Sequence, residues 1–280
     1  MRCAWRELLD ILPKWLVPEV DALGRDTMQE LRLRLDAPPE LVSGNSIHRL
    51  RQKVSQGDLA YCVNAASRYS PWAASTIALG FLTASGGHRI GLCGEVVRKG
   101  NEITGMREIT SLCIRVARDF PGIGSSAAGL RGSILILGAP GWGKTTLLRD
   151  IARQISGKST VAVVDERGEI FPSGFSRGPR MDVLTGAPKA GGVEMVLRTM
   201  GPEWIAVDEI TAEEDCRALL QAQGCGVRLL ATAHAGSPEE FRARPVYKAL
   251  LDNHLFEYLL ILHSDKSYRT ERIHTWNSGG

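Results

Sequence analysis

Residues 138–146 read GAPGWGKTT, with the spacing G-x-x-x-x-G-K-[ST], and this stretch constrains the fold more than any other. An apolar run at 133–137 precedes it. A segment with helical apolar spacing (Leu147, Leu148, Ile151, Ile155) follows it. Strand, glycine loop and helix in that order form a phosphate cradle. Glycines let successive backbone N–H groups turn inward around phosphate oxygens, and the helix N-terminus adds its partial positive charge. Gly138, Ala139, Pro140, Gly141, Trp142, Gly143, Lys144, Thr145 and Thr146 are therefore the expected binding residues. Lys144 is placed to reach β- and γ-phosphates, and the Thr145 hydroxyl to ligate Mg²⁺.

The rest of this half has the texture of a parallel sheet. Apolar runs at 133–137, 161–164, 204–207 and 229–232 are short and rich in Ile, Val and Leu. Helical patterns at 144–156, 192–200, 212–223 and 238–251 separate them. Thr211 with Glu214, and Ser237 with Pro238 and Glu240, fit helix-start chemistry. The end, 258–263 and 268–276, reads as a hairpin turning at 264–267. The stretch 168–192 is long for a connection, and suits either a folded surface loop or a pore- or partner-facing one.

Two strands end in an acidic pair, Asp165-Glu166 and Asp208-Glu209. When a P-loop protein hydrolyses with its own glutamate, one strand is inserted between the phosphate strand and the acidic (Walker B) strand. The run at 161–164 follows the P-loop helix directly, whereas 204–207 comes one βα unit later. The later pair fits Walker B, with Asp208 on the metal and Glu209 polarising the attacking water. An Asp-Glu pair after a strand also caps helices, but here it accompanies a P-loop. His234 ends the next apolar run, where a γ-phosphate sensor or water-positioning group belongs.

The first part of the chain differs. An amphipathic helix is expected over 5–16, interrupted at Pro13. Leu31 to Leu35 alternates strictly, giving a strand with apolar and basic faces. A short strand is expected at 43–51, a helix at 56–70, a glycine-turned hairpin over 88–104 and a strand at 111–116. This makes a small α+β domain at 1–120, joined by a glycine- and serine-rich linker at 121–131 to an α/β domain at 132–280. The 34 Lys+Arg against 31 Asp+Glu give a formal charge of only +3, which argues against a chain whose main task is coating nucleic acid. No apolar run reaches the ~18–20 residues of a membrane span. The charged start (Arg2, Arg6, Glu7, Asp10) does not suit a signal peptide. A soluble, cytoplasmic protein with thiols that need no pairing is the expectation, and any membrane role would come through a partner.

P-loop, acidic box DERGE (165–169), Walker B and histidine box, in that order, resemble the secretion ATPases of type II and type IV systems and pilus motors. GGHRIGLCGEVV (86–97), VVDERGEI, DVLTGAPKAGG (182–192), VDEIT (207–211), ATAH and FRARP (241–245) are similar to one branch, the stage III sporulation AA family. The resemblance covers about 31–269. It implies a hexameric ring ATPase that uses ATP and Mg²⁺, with a RecA-like C-terminal domain behind a small N-terminal one. Glu169, alongside Glu166, would face the γ-phosphate and metal. Many secretion ATPases have glycine where this chain has Asp208, so Glu209 is the safer catalytic residue. Arginines of the small domain reach the nucleotide in such proteins; Arg89 and Arg115 occupy plausible positions, with Arg107 a third option. Arg242 and Arg244 either act across a subunit boundary or decorate a helix.

The family role that follows is to power, from the mother-cell cytoplasm, a secretion-like channel between mother cell and forespore. A membrane-embedded platform protein of that apparatus would recruit the chain. Two rival functions remain open at this point: a DNA-translocating ring ATPase, and a non-catalytic scaffold whose assembly ATP gates.

Overall fold

The computed structural model describes residues 1–67 and 73–273, which form two compact units. One comprises Met1–Asp119 with Pro172–Phe175; the other comprises Phe120–Phe171 with Ser176 onward.

The first unit contains helices α1 (Trp5–Leu9), α2 (Val17–Leu23), α3 (Gln56–Ser67) and α4 (Ala73–Ala78). Its strands are β1 (Met28–Arg34), β2 (Glu40–Ser43), β3 (Ser46–Arg49), β4 (Phe81–Thr83), β5 (Arg89–Lys99) and β6 (Glu102–Arg115). They form one antiparallel sheet in the order β3-β2-β1-β6-β5-β4. Strand alternation turns Leu31 and Leu33 into a core with Leu8, Leu12, Leu59 and Ile90. The basic face of β1 is neutralised locally: Glu30 pairs with Arg32 and Arg115, and Glu40 with Arg34 and Arg49. The expected helix over 5–16 stops at Leu9, short of Pro13, and α2 begins after a turn. The strand expected at 43–51 is present as the shorter β3, which pairs with β2 in a hairpin because Gly44 turns the chain at φ +59°. The last residues of the helix expected at 56–70 lie outside the described residues.

The second unit holds strands β7 (Ile134–Gly138), β8 (Val161–Asp165), β9 (Met181–Thr185), β10 (Trp204–Val207), β11 (Arg228–His234), β12 (Tyr258–Leu262) and β13 (Tyr268–Arg272). Its helices are α5 (Lys144–Ile155), α6 (Lys189–Met200), α7 (Glu213–Gly224), α8 (Pro238–Ala243) and α9 (Lys248–Asp252). The sheet order is β13-β12-β7-β11-β10-β8-β9, parallel except for β13. Both faces are covered. Leu135 and Leu137 enter one apolar cluster, while Ile134 and Ile136, pointing the other way, enter a second. Burial on both sides is why these strands read as unbroken aliphatic runs.

Several expectations need correction here. The stretch 168–192 contains β9, a parallel edge strand beside β8. The helix expected over 238–251 is split, because Pro245 holds Arg244 extended at φ −86°, ψ 118°. Helix α7 starts one residue later than Thr211 predicts, and Asp215 rather than Glu214 accepts the amides of Thr211 (3.1 Å) and Ala212 (3.2 Å). Ser237 does cap α8, accepting the Glu240 amide at 3.2 Å. The segment 121–131, expected as a linker, is folded onto α5. Buried Asp150 accepts the amides of Gly122 (3.0 Å) and Gly124 (2.8 Å), and Ala127 is fully buried.

Candidate functional site

The site lies where four parallel strands end. Gly141 (φ +75°) and Gly143 (φ +100°) occupy the left-handed region, which lets the chain curl between β7 and α5 without a Cβ penalty. Lys144, the first residue of α5, is buried, and its ammonium donates to the carbonyls of Gly138 (2.8 Å) and Ala139 (3.2 Å). Burial lowers its pKa from the ordinary lysine value, opposed by the charges of Asp208 and Glu209. It also donates to His234 Nδ1 at 2.8 Å. An ammonium has only protons to give, so Nδ1 accepts, and Nε2 carries the proton that faces Glu209 Oε1 at 3.1 Å.

The choice between acidic pairs turns on strand order. Strand β10 is separated from β7 by β11 alone, whereas β8 lies one strand further out. Asp208 and Glu209, which follow β10, therefore emerge beside the P-loop. The Thr145 hydroxyl donates to Asp208 Oδ2 at 2.6 Å. Two hard oxygen donors at the head of a phosphate loop suit Mg²⁺, which takes one or two protein oxygens and completes its shell with phosphate and water. Glu209 sits at φ +49°, a conformation that costs a non-glycine residue about 1–3 kcal/mol and persists only where its surroundings enforce it.

The other pair has a divided role. Asp165 is buried, and its carboxylate accepts the amides of Glu169 (2.8 Å), Ile170 (3.0 Å) and Phe171 (2.9 Å). Burial raises its pKa, partly offset by the Phe171 and Ile170 amides. It shapes the acidic-box turn, which buried Arg149 reinforces by donating to the carbonyls of Glu169 (2.8 Å) and Ile170. Glu166 pairs with Lys189 at 2.7 Å. Glu169, Glu166, Lys189, Asp208 and Glu209 line one polar cavity, so the structure brings the box and Walker B acids together. Arg89 and Arg115 belong to the first unit, opposite each other in the β5–β6 ladder; Arg89 lies 4.5 Å over the Phe81 ring. Arg107 pairs with Glu95, Arg242 with Glu239 (3.7 Å), and Arg244 with Glu240.

The family described as "Sporulation stage III, protein AA" matches residues 8–275. The chain is also 35% identical over 281 residues to the stage III sporulation protein AA of Bacillus subtilis (strain 168), covering 91% of this chain and 90% of that one. The chain belongs to this sporulation family. Among solved structures it is similar to the pilus retraction motor PilT with bound ADP (TM-score 0.64, 14% identity, 96% of this chain, 84% of that one). It is likewise similar to the ATPase DotB of Legionella pneumophila (TM-score 0.58, 18% identity, 91% of this chain, 78% of that one). This sporulation AA chain thus carries the RecA-like fold of secretion and pilus ATPases behind a small α+β unit.

Two further features of this family member lie beyond sequence reading. A cavity of about 740 Å³ opens beside the P-loop, lined by Phe120, Ile123, Trp142, Leu262, Lys266 and Tyr268. Such a size and aromatic lining suit a nucleobase. Lys266 donates to the Gly141 carbonyl, and Tyr268 OH to that of Ile123 at 3.3 Å, which ties the β12–β13 turn to both the loop and the folded-back 121–131 segment. The second feature is Arg167, whose guanidinium lies 3.8 Å from Glu209 Oε2. Among the described residues no helix is long and apolar enough to cross a membrane.

Proposed function

We infer that the chain is an ATPase that hydrolyses ATP, as a ring, to energise assembly of or transport through a sporulation secretion-like channel between mother cell and forespore. The observation that carries this reading is the linkage of five groups in one site: Thr145 to Asp208, and Lys144 through His234 to Glu209. Lys144 and the loop amides would hold the phosphates, and the aromatic cavity the base. Thr145 and Asp208 would hold Mg²⁺, which when bound neutralises charge on the phosphoryl oxygens. Glu209 orients a water in line with the γ-phosphate and takes up its proton. His234 Nε2–H keeps the Glu209 carboxylate aimed, and Glu169 adds acceptor oxygens on the metal side. Similarity to the solved structures of an ATPase and of a motor with bound ADP supports the same chemistry. Arg89 and Arg115 are assigned to the nucleotide on the family resemblance alone.

The purified chain with Mg²⁺ and ATP should release phosphate. Lys144→Ala should weaken nucleotide binding roughly 10–150-fold, and Glu209→Gln should retain binding while losing about 10²–10⁴-fold in turnover. Mass measurement with a non-hydrolysable ATP analogue should report hexamers. In sporulating cells the chain should fractionate with the mother-cell membrane only when its platform partner is present. Full sporulation supported by Glu209→Gln would overturn the motor reading in favour of a nucleotide-gated scaffold. Stimulation of turnover by DNA would instead favour a DNA translocase.

A further inference from the structure

Strand β11 carries a second polar side chain, Thr232, two positions before His234. It is fully buried on an otherwise aliphatic stretch, Leu229 to Ala233, where packing alone would be served by valine. Its hydroxyl accepts the Glu209 amide at 2.8 Å and gives its one proton to Asp208 Oδ1 at 2.5 Å. The direction is forced, because an amide can only donate and a carboxylate here accepts. Its carbonyl accepts the Ile210 amide at 2.9 Å. Three consecutive residues leaving β10 are thus tied to one residue of the neighbouring strand.

The consequences differ for the two acids. Asp208 is held at both oxygens, Oδ1 by Thr232 and Oδ2 by Thr145, so its carboxylate has one rotation. Glu209 is held by its backbone at φ +49°. If its amide were released, φ would relax toward the negative region and the side chain would leave His234 and Arg167. We propose that Thr232 is a positioning residue of the ATPase centre: it enforces the left-handed turn that aims Glu209 and sets the Asp208 rotation that presents Oδ2 to Thr145. The Thr232 hydroxyl is taken up by the Glu209 amide and Asp208 Oδ1, so it acts through those two residues, and its role rests on the hydrolytic reading above.

The test compares Thr232→Val, which keeps shape and removes the hydroxyl, with Thr232→Ser, which keeps the hydroxyl. Thr232→Val should lower kcat about 10–100-fold, the usual range for a group that orients metal-site residues. Its metal-free affinity for a fluorescent ATP analogue serves as the folding control and should stay near wild type, while its melting point falls modestly because the Glu209 amide and Asp208 Oδ1 lose their partner. The Mg²⁺ concentration that half-saturates the Mg²⁺-dependent tightening of analogue binding should rise several-fold. Thr232→Ser should restore both. In single-turnover assays at saturating Mg²⁺, where the Asp208 effect on the metal is masked, the valine substitution should cost less than about twofold further in the Glu209→Gln background, because the remaining effect acts through Glu209. Wild-type kcat and Mg²⁺ midpoint in Thr232→Val, equal losses in Thr232→Ser, or full additivity with Glu209→Gln would each overturn the proposal. A wild-type chain that binds the analogue without hydrolysing ATP would overturn the hydrolytic reading instead. The Mg²⁺ midpoint of Thr232→Val would then decide the Asp208 role by itself.

Discussion

Lys144 Nζ stands 2.8 Å from His234 Nδ1, so the first residue of the P-loop helix is bonded to the last residue of the adjoining strand. The far side of the same imidazole meets Glu209 at 3.1 Å. One ring therefore connects the lysine proposed to hold phosphate to the glutamate proposed to activate water. Replacing His234 with alanine leaves the loop amides intact and removes the orienting contact on Glu209. We expect kcat to fall about 10–100-fold while nucleotide affinity shifts by less than about threefold. Equilibrium binding and phosphate release on one preparation check this. A loss of affinity matching that of Lys144→Ala would place His234 on the phosphate rather than on the glutamate.

Nucleotide affinity should divide between the two ends of the ligand. Lys144→Ala removes charge-assisted bonds, each worth about 1.5–3 kcal/mol, so affinity should weaken roughly 10–150-fold. Tyr268→Ala removes one aromatic wall of the cavity beside the loop, for about 0.5–1.5 kcal/mol, or two- to tenfold. The second loss should appear with ATP and vanish with inorganic triphosphate, which has no base. Equal weakening for both ligands would show that the cavity does not hold the base.

Asp165 should matter to shape more than to charge. Its carboxylate takes three backbone amides of the acidic box, and an asparagine offers one acceptor oxygen in place of two. Asp165→Asn should destabilise the second unit by about 1–3 kcal/mol through unpaired buried amides. Turnover should fall with it, because Glu169 is carried on the same turn. Melting curves with and without Mg²⁺-ATP measure the effect. An unchanged melting point with lost activity would assign Asp165 to chemistry instead.

How much of this was legible beforehand follows from where each signal resides. The central strands were readable because burial on both faces leaves only aliphatic residues, and the strand expected to lie one strand away from the phosphate strand, β10, does lie there, with β8 one strand further out. Strand β9 was not readable, because it is a half-exposed edge strand with Asp182 as its second residue. The linker reading of 121–131 failed because Asp150, not the glycines, decides where that segment lies. The aromatic cavity joins Phe120 to Tyr268, residues that no local period connects. Thr232 looks like one more β-former in LLATAH, and only the neighbouring turn reveals what its hydroxyl holds. The strain at Glu209 is likewise invisible in sequence, since nothing there but a glycine would advertise a positive φ.

The first unit should lose stability in mild acid through His88. That side chain is fully buried, with Nε2 donating to the Ala4 carbonyl at 2.8 Å and Nδ1 accepting the Ala117 amide at 3.1 Å. Both nitrogens are satisfied in the neutral ring, and a second proton would meet the Ala117 N–H head on. Burial is the main cause that lowers the His88 pKa below 6.5; the Ala4 carbonyl and Glu7 oppose it, and Arg118 adds to it. A group whose folded pKa is depressed binds fewer protons in the folded state than in the unfolded one. Its contribution is therefore complete above the unfolded value near 6.5 and is lost as pH falls from there through the folded pKa. Denaturation midpoints of the full chain should drop between pH 7.5 and 5.5. His88→Gln, which does not titrate, should start lower at pH 7.5 and show a shallower drop. Parallel curves for the two proteins would show that the acid sensitivity lies elsewhere.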